Sequence, residues 1–465
     1  MDHRLRGTVP LTTSLLVLAA ALVVGAAPAR ADDTCTTSWT GGAGVWSDAA
    51  HWSTGTVPTP TDAVCIIGAQ GAAPVSVRVT TSVSASMLTL RGATLRVVTD
   101  ATVSAPQFSA TAATVTGGGT VLGASSGWVT LTDSRLDGVH VRARAGLRLA
   151  GRVAFSGGAT AVQTGEFGGG DMADGTRVVD LDGTRNHLQF QRFPLYLTGS
   201  VSVGVPLGLV DLALFAQGRV TLSVLDNLGA DGWLRPLDGT TSLQLGASIT
   251  GSLQLARPIK AIAPGVGVFA PGVTTPDGGN ALAALQEVDG SLNLGQPLFV
   301  PGPLTIGGTV ASTSSLGAGG ITVTTGGNLL MSSTPDATVY SDVTVLPGAH
   351  VTAQDITGAL VNRGSVDLGG GAHVGRLALL PSSRTTTDLR QPVRVDHRAT
   401  LAGALDVRLP RGRLLPPAGT ELVLLTAPEG VRGTFDRVDV DQPQRAALQL
   451  GYQTTWVTGV VTAPV

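Results

Sequence analysis

From about residue 72 to 390 the chain is built of short strings in which β-branched or leucine positions alternate with polar ones. Gly, Asn, Asp or Ser breaks the pattern roughly every 8–12 residues, the spacing of short strands joined by tight turns. Examples are SMLTLRGATLRVV, GITVTTGGNLLMSS and ALVNRGSVDLGGGAHVGRLAL. An alternation of period two places one set of side chains on a single face of a strand. Long helices need a 3.6-residue period rich in Glu, Lys, Gln and Leu, and no such stretch follows the first thirty residues. Charged residues make up only 13% of the chain, but 43% is apolar, too much for a disordered polymer.

Two architectures fit this texture: a series of β-sandwiches or a parallel β-helix. Three features favour an all-β, right-handed parallel β-helix. The patterned region runs for about 320 residues without a proline-rich linker to divide it into separate domains. Its strands are short and even. Glycine tracts such as Gly117–Gly119 and Gly369–Gly371 suit corners that need positive φ. Turns of about 20–25 residues would give roughly 13–16 coils, each burying its apolar face against the next. No exact repeat length emerges, so the repeat is degenerate.

The ends differ from the middle. Arg4 and Arg6 precede an uncharged apolar run from Leu11 to Ala27, and Ala29-Arg30-Ala31 offers small residues for cleavage before Asp32. This is the pattern of a secretory signal peptide over 1–31, and it predicts a secreted or extracellular protein, free or associated with the cell surface. Nothing later reads as a transmembrane segment. Without residues 1–31 the chain keeps 27 basic and 31 acidic side chains, a net −4, which argues against nucleic acid as a partner. The only two cysteines, Cys35 and Cys65, are expected to form one disulfide in an oxidising compartment.

Residues 32–71 form a distinct N-terminal cap segment, with Trp39, Trp46 and Trp52 close together. The run W-S-D-x-x-x-W-S-x-G-x-V-P-x-x-x-D-x-V-x-I, from Trp46 to Ile66, resembles the opening of bacterial surface and autotransporter-like β-helix proteins. It also looks like the start of the eight-glycine module of eukaryotic extracellular proteins. His51 stands where the bacterial pattern commonly has asparagine. Residues 391–465 form the expected C-terminal β cap. Here L-x-G-x-L-x-V (Leu401 to Val407), P-x-G-T-x-x-x-L-L-T (Pro417 to Thr426) and G-T-F (Gly433 to Phe435) precede a terminal strand containing Tyr452. Their order resembles the C-terminal passenger segment of the same bacterial proteins. Leu401, Leu405, Val407 and Leu409 alternate as one strand face. The two segments cover about 110 residues and imply architecture, with no catalytic residues attached.

The densest polar cluster is Glu166 followed by GGGDMADGTRVVDLDGTRNHLQF. Asp180 and Asp182, two apart on a strand, share a face and are candidates for an acid/base pair, with Arg185 and His187 beside them. Asp171 and Asp174 are candidate calcium ligands; no other cofactor is indicated. An ordinary solvated turn competes with both readings and is the more economical, because Asp174-Gly175 and Asp182-Gly183 are common turn pairs. A second loop, DNLGADGWLRPLDG, carries Asp226, Asp231, Trp233, Arg235 and Asp238; a Trp beside charged groups is one way to stack a sugar. The pectin-hydrolase pattern fails: the only Asp-Asp is at 32–33, no G-H-G exists, and Arg257 to Lys260 is one residue too long. No nucleophile elbow, P-loop or metal-spaced histidine pair appears. The sequence thus leads to a non-enzymatic structural or adhesive protein that contacts extracellular glycan or envelope components. The alternative is an extracellular polysaccharide lyase or glycoside hydrolase with its acidic site in the groove.

Overall fold

The computed structural model describes residues 35–462 apart from 69–72, 165–167, 238–242, 248–251, 270–271, 335, 410–415 and 443–446. The expected leader over 1–31, Glu166 and Asp238 lie outside the described residues. The chain winds into a parallel β-solenoid of about sixteen turns, with almost no helix.

One face of the coil runs without interruption. It starts at Thr37–Ser38, which pairs in parallel with Ala63–Ile67, and ends at Arg437–Val440, which pairs with Ala404–Arg408. Successive strands of this ladder are separated by steps as short as 15 residues, Val351 to Val366, and as long as 33, Leu405 to Val438. The repeat is therefore constant in space and irregular in sequence, because extra residues loop out at the corners. In many strands burial alternates, as in Leu212–Leu222 on this face and His187–Gln191 on another, whose buried positions are mostly leucine, valine and phenylalanine. Their inward side chains stack turn on turn into one hydrophobic cluster that extends from Trp39 to Val457.

The other faces are discontinuous. A seven-stranded ladder begins at Val83–Ser84 and stops at Leu207–Val210. Its place is taken by a ladder that begins at Trp233–Leu234. Asn227 closes the edge that this break leaves. Its side-chain amide, buried in the core, accepts from the Leu209 N–H at 3.0 Å and donates to the Leu209 carbonyl at 2.9 Å. One side chain thus satisfies a donor and an acceptor that a further strand would have paired. A second interruption follows Val273–Thr274, where the chain leaves the sheet for a loop over residues 275–286, exposed at first and then anchored in the core by Ala281, Leu282 and Leu285, before Leu298–Phe299 starts a new ladder.

Corners use positive φ, as the glycine tracts imply. Gly92 (φ 59°) and Gly151 (φ 61°) bracket Ala112 (φ 49°) and Asp133 (φ 47°), which take the same conformation at the corresponding corner of the intervening turns. Gly403 (φ 74°) corrects one expectation. Leu401 and Leu405 do not share a strand: Ala399–Leu401 and Ala404–Arg408 belong to different sheets. The chain bends at Gly403, where a Cβ would lie 2.3 Å from the Ser383 carbonyl oxygen.

Both ends are covered. Trp39, Trp46 and Trp52 are all buried at the first turn. Trp52 meets the other two edge-on at centroid distances of 4.9 Å, and its indole N–H donates to the Trp46 carbonyl at 2.8 Å. The Cys35–Cys65 disulfide ties this segment to the second turn. At the far end the pairing turns antiparallel: Trp456–Thr462 lies between Glu421–Thr426 and Ala447–Tyr452. A register shift between Val423 and Leu425 lets the adjacent Leu424 and Leu425 both be buried.

The cross-link spans 30 residues, worth about 3–4 kcal/mol if it acts by restricting the unfolded chain. Replacing both cysteines by serine is expected to let the first turn open before the rest. Tryptophan emission should shift to the red at a lower urea concentration than the loss of β-dichroism. Coincident transitions would contradict this.

Candidate functional site

The acidic stretch 171–187 occupies strands Gly170–Met172, Arg177–Asp180 and the start of His187–Gln191, with turns between them. The turn after Asp180 lies against the previous coil and caps its backbone. Three successive N–H groups, of Gly157, Gly158 and Ala159, donate to Asp182 (2.6 Å), the Thr184 hydroxyl (2.9 Å) and the buried Asn186 carbonyl (3.0 Å). Asn186 returns its amide to Asp180 and Asp182, both at 2.8 Å. The Gly157 N–H, with the Thr184 hydroxyl, holds the Asp182 carboxyl far below the usual carboxylate range. A group so fixed as an acceptor is poorly suited to exchanging protons near neutral pH. Asp180 and Asp182 meet through Asn186, as parts of a turn. Arg185 is exposed beside them.

The two candidate calcium ligands have separate partners. Asp171 accepts from Arg148 at 2.9 Å, and the same guanidinium lies over the Trp128 ring at 5.0 Å. Asp174 accepts from the Ser200 N–H at 2.6 Å at a corner between turns. Among the described residues no group of three or more His, Cys, Asp or Glu side chains is placed to hold a metal ion.

The second loop is joined to the first by one contact, His187 Nε2 to Asp226 at 2.8 Å. Elsewhere the loop is fixed to its own neighbours, through Asn227 to Leu209 and through the pairing of Trp233–Leu234 with Ala261–Ile262. Asp231 pairs with Arg235 at 2.7 Å and accepts from the Trp233 N–H, while Arg235 lies over the Trp233 ring at 4.9 Å. These bonds, with the Arg235 charge, hold the Asp231 carboxyl below its usual range. Asp231, Trp233 and Arg235 are therefore brought together, at a distance in the chain from Asp180 and Asp182 that only His187 and Asp226 bridge.

What sequence reasoning missed is the outer surface of the coil. Tyr196 and Phe215 stand in register on adjacent turns and stack at 5.6 Å. On another face Phe299 and Tyr340, 57% and 50% exposed, lean together across Gly317, which is in register with both. Trp128 lies over Gly146 in the same manner. The local signal was present: Tyr196 between Leu195 and Leu197, and Phe215 between Leu214 and Ala216, occupy outward positions of an alternating strand. Their adjacency was not visible, because it depends on the register of turns. Openings lie nearby: a cleft of about 760 Å³ beside the 275–286 loop, lined by Pro258, Asp277, Asn280, Gln286 and Pro301 among others, and an open groove of about 580 Å³ at Phe269 and Leu330.

No family model, curated protein or solved structure matches this chain. Among the described residues no helix is long and apolar enough to cross a membrane.

Near the C-terminal end His373 bridges two turns, contacting Asp355 through Nδ1 (2.9 Å) and Asp396 through Nε2 (2.8 Å). The hydrogen bond to Asp355, then that to Asp396, raises its pKa above the ordinary imidazole value despite partial burial. A raised folded-state pKa means that the contribution is complete below the unfolded value, near 6.5, and is lost as pH climbs through the folded one. The melting temperature should therefore fall more steeply in the wild type than in His373→Gln when pH rises from about 6 to about 8.5. Parallel profiles would show that the imidazole does not hold these turns together.

Proposed function

We propose that this chain is an exported, secreted or surface-associated solenoid that binds extracellular glycan or envelope material and carries out no reaction on it. The observation that carries this reading is the set of outward aromatic side chains placed in register on a rigid coil: Tyr196 with Phe215, and Phe299 with Tyr340. Folding gives no reason for them, since each already faces away from the core. Large exposed aromatics on a rigid frame offer contact area at little cost in entropy. The commitment of Asp182 to capping a neighbouring turn, and of Asp180 to holding its own turn through Asp182, Gly183 and Asn186, also supports binding without chemistry. The leader-like segment 1–31 and the likeness of both ends to bacterial surface β-helix proteins agree with export.

The test is retention together with turnover. The purified protein is passed over immobilised neutral and acidic polysaccharides, and the same glycans are assayed for new reducing ends or unsaturated products. Retention on at least one glycan, with no product, is expected. Product formation that is lost in Asp182→Ala would establish a lyase or hydrolase instead.

A further inference from the structure

The uninterrupted face carries two outward ladders whose composition changes along the coil. In the first, Arg148 and Asp171 are followed in register by Tyr196, Phe215, Gly246, Phe269, Asn293, Ala311 and Leu330. Beyond Thr352 the charges return, with Asp367 paired to Arg408 at 2.5 Å and Arg384 paired to Asp406. In the second ladder, beside it, Gln244, Gly267, Ser291, Thr309 and Asn328 stand in register. No position from Tyr196 to Leu330 in the first, or from Gln244 to Asn328 in the second, carries a charge at neutral pH. A ladder that is apolar except for Asn293 thus runs beside an amide and hydroxyl ladder, and paired charges stand beyond both ends of the first.

The groove of about 580 Å³ lies on this neutral stretch. Phe269 and Leu330, each 37% exposed, form its ends, and the small Ala311, with Asn293, forms its floor. Ser332 and Thr313 lie along its edge. The ends are three turns apart, about 14 Å along the coil axis at the usual spacing of paired strands. The volume is in the range of sites that hold small ligands.

We infer that this groove binds an uncharged polysaccharide lying along the solenoid axis, with Phe269 and Leu330 against the apolar faces of its sugar rings. The match is chemical. A pyranose ring has an apolar C–H face and a hydroxyl rim; the first matches Phe269, Ala311 and Leu330, and the second matches Asn293, Thr313 and Ser332, all of which line the groove. An acidic glycan would find no cation in this lining, and a purely apolar ligand would cover Asn293 and Ser332 without giving them partners. The inference rests on the glycan-binding reading and assigns its site and ligand class.

The experiment measures binding to insoluble cellulose, mannan and starch, and to pectate and alginate, at about 0.05 and 0.5 M NaCl, where exposed charge interactions are respectively weakly and strongly screened. Wild-type protein should bind at least one neutral glycan equally at both salt concentrations. Ala311→Arg, which fills the floor, and Leu330→Ser, which removes one end, should each weaken binding about tenfold, equivalent to about 1.4 kcal/mol. Both positions face outward, so melting should be unchanged. Val423→Ser, exposed on the C-terminal cap, should bind as wild type. If the wild type is retained on no polysaccharide, the glycan-binding reading falls and the groove assignment with it. If it is retained but both groove variants bind normally, only the groove assignment falls. Preference for pectate or alginate with loss at high salt overturns the ligand class. A concentration-dependent dimer abolished by Ala311→Arg shows that the groove serves a second copy of the chain.

Discussion

The structure depends on one parallel ladder that continues from Thr37–Ser38 to Arg437–Val440. Each interior strand in it exchanges backbone hydrogen bonds with the turns before and after, so its inward side chains are held in columns at a fixed spacing. That arrangement merges the apolar residues of many short strands into a single core, which none of them could bury alone. It also makes the other faces tolerant. A ladder can stop at Val210 and another begin at Trp233 because the first face preserves the stacking, provided that the exposed backbone is paired, as Asn227 does for Leu209.

An open-ended coil also has two edges that would attract other strands. The tryptophan cluster and disulfide meet this need at one end, and the antiparallel strands at the other, where Arg437 and Asp439 form an ion pair on the edge strand Arg437–Val440. Between the ends, much of the polar chemistry acts from turn to turn. Asp182, Asn186 and Thr184 cap a neighbouring corner, and His373 joins Asp355 to Asp396. With these groups engaged inside the coil, the neutral stretch of the outer face stands out as the surface without a structural task.

The general fold was legible because strand alternation, glycine corners, the cysteine pair and the tryptophan-rich start are local signals. The candidate site was not. Asp180 and Asp182 look alike in sequence whether they act as acid and base or cap a corner; the choice is set by Gly157, on the preceding turn. Leu401 and Leu405 read as one strand because Gly403, at the bend between them, also fits an unbroken alternation. The neutral face depends on residues separated by a variable number of positions, such as Phe269, Asn293, Ala311 and Leu330. A degenerate repeat hides such columns until the register is known.

The most direct test of the account is therefore the register itself. Ser291 and Thr309 are partners on adjacent turns, and Asn328 is one turn further along the same column. Paired strands place such residues about 4.8 Å apart, within reach of a disulfide, whereas two turns are not. Under mild oxidation the double variant Ser291→Cys/Thr309→Cys should form an intramolecular cross-link, and Ser291→Cys/Asn328→Cys should not. Equal cross-linking of the two, or cross-linking of the second pair alone, would contradict a parallel coil in this register.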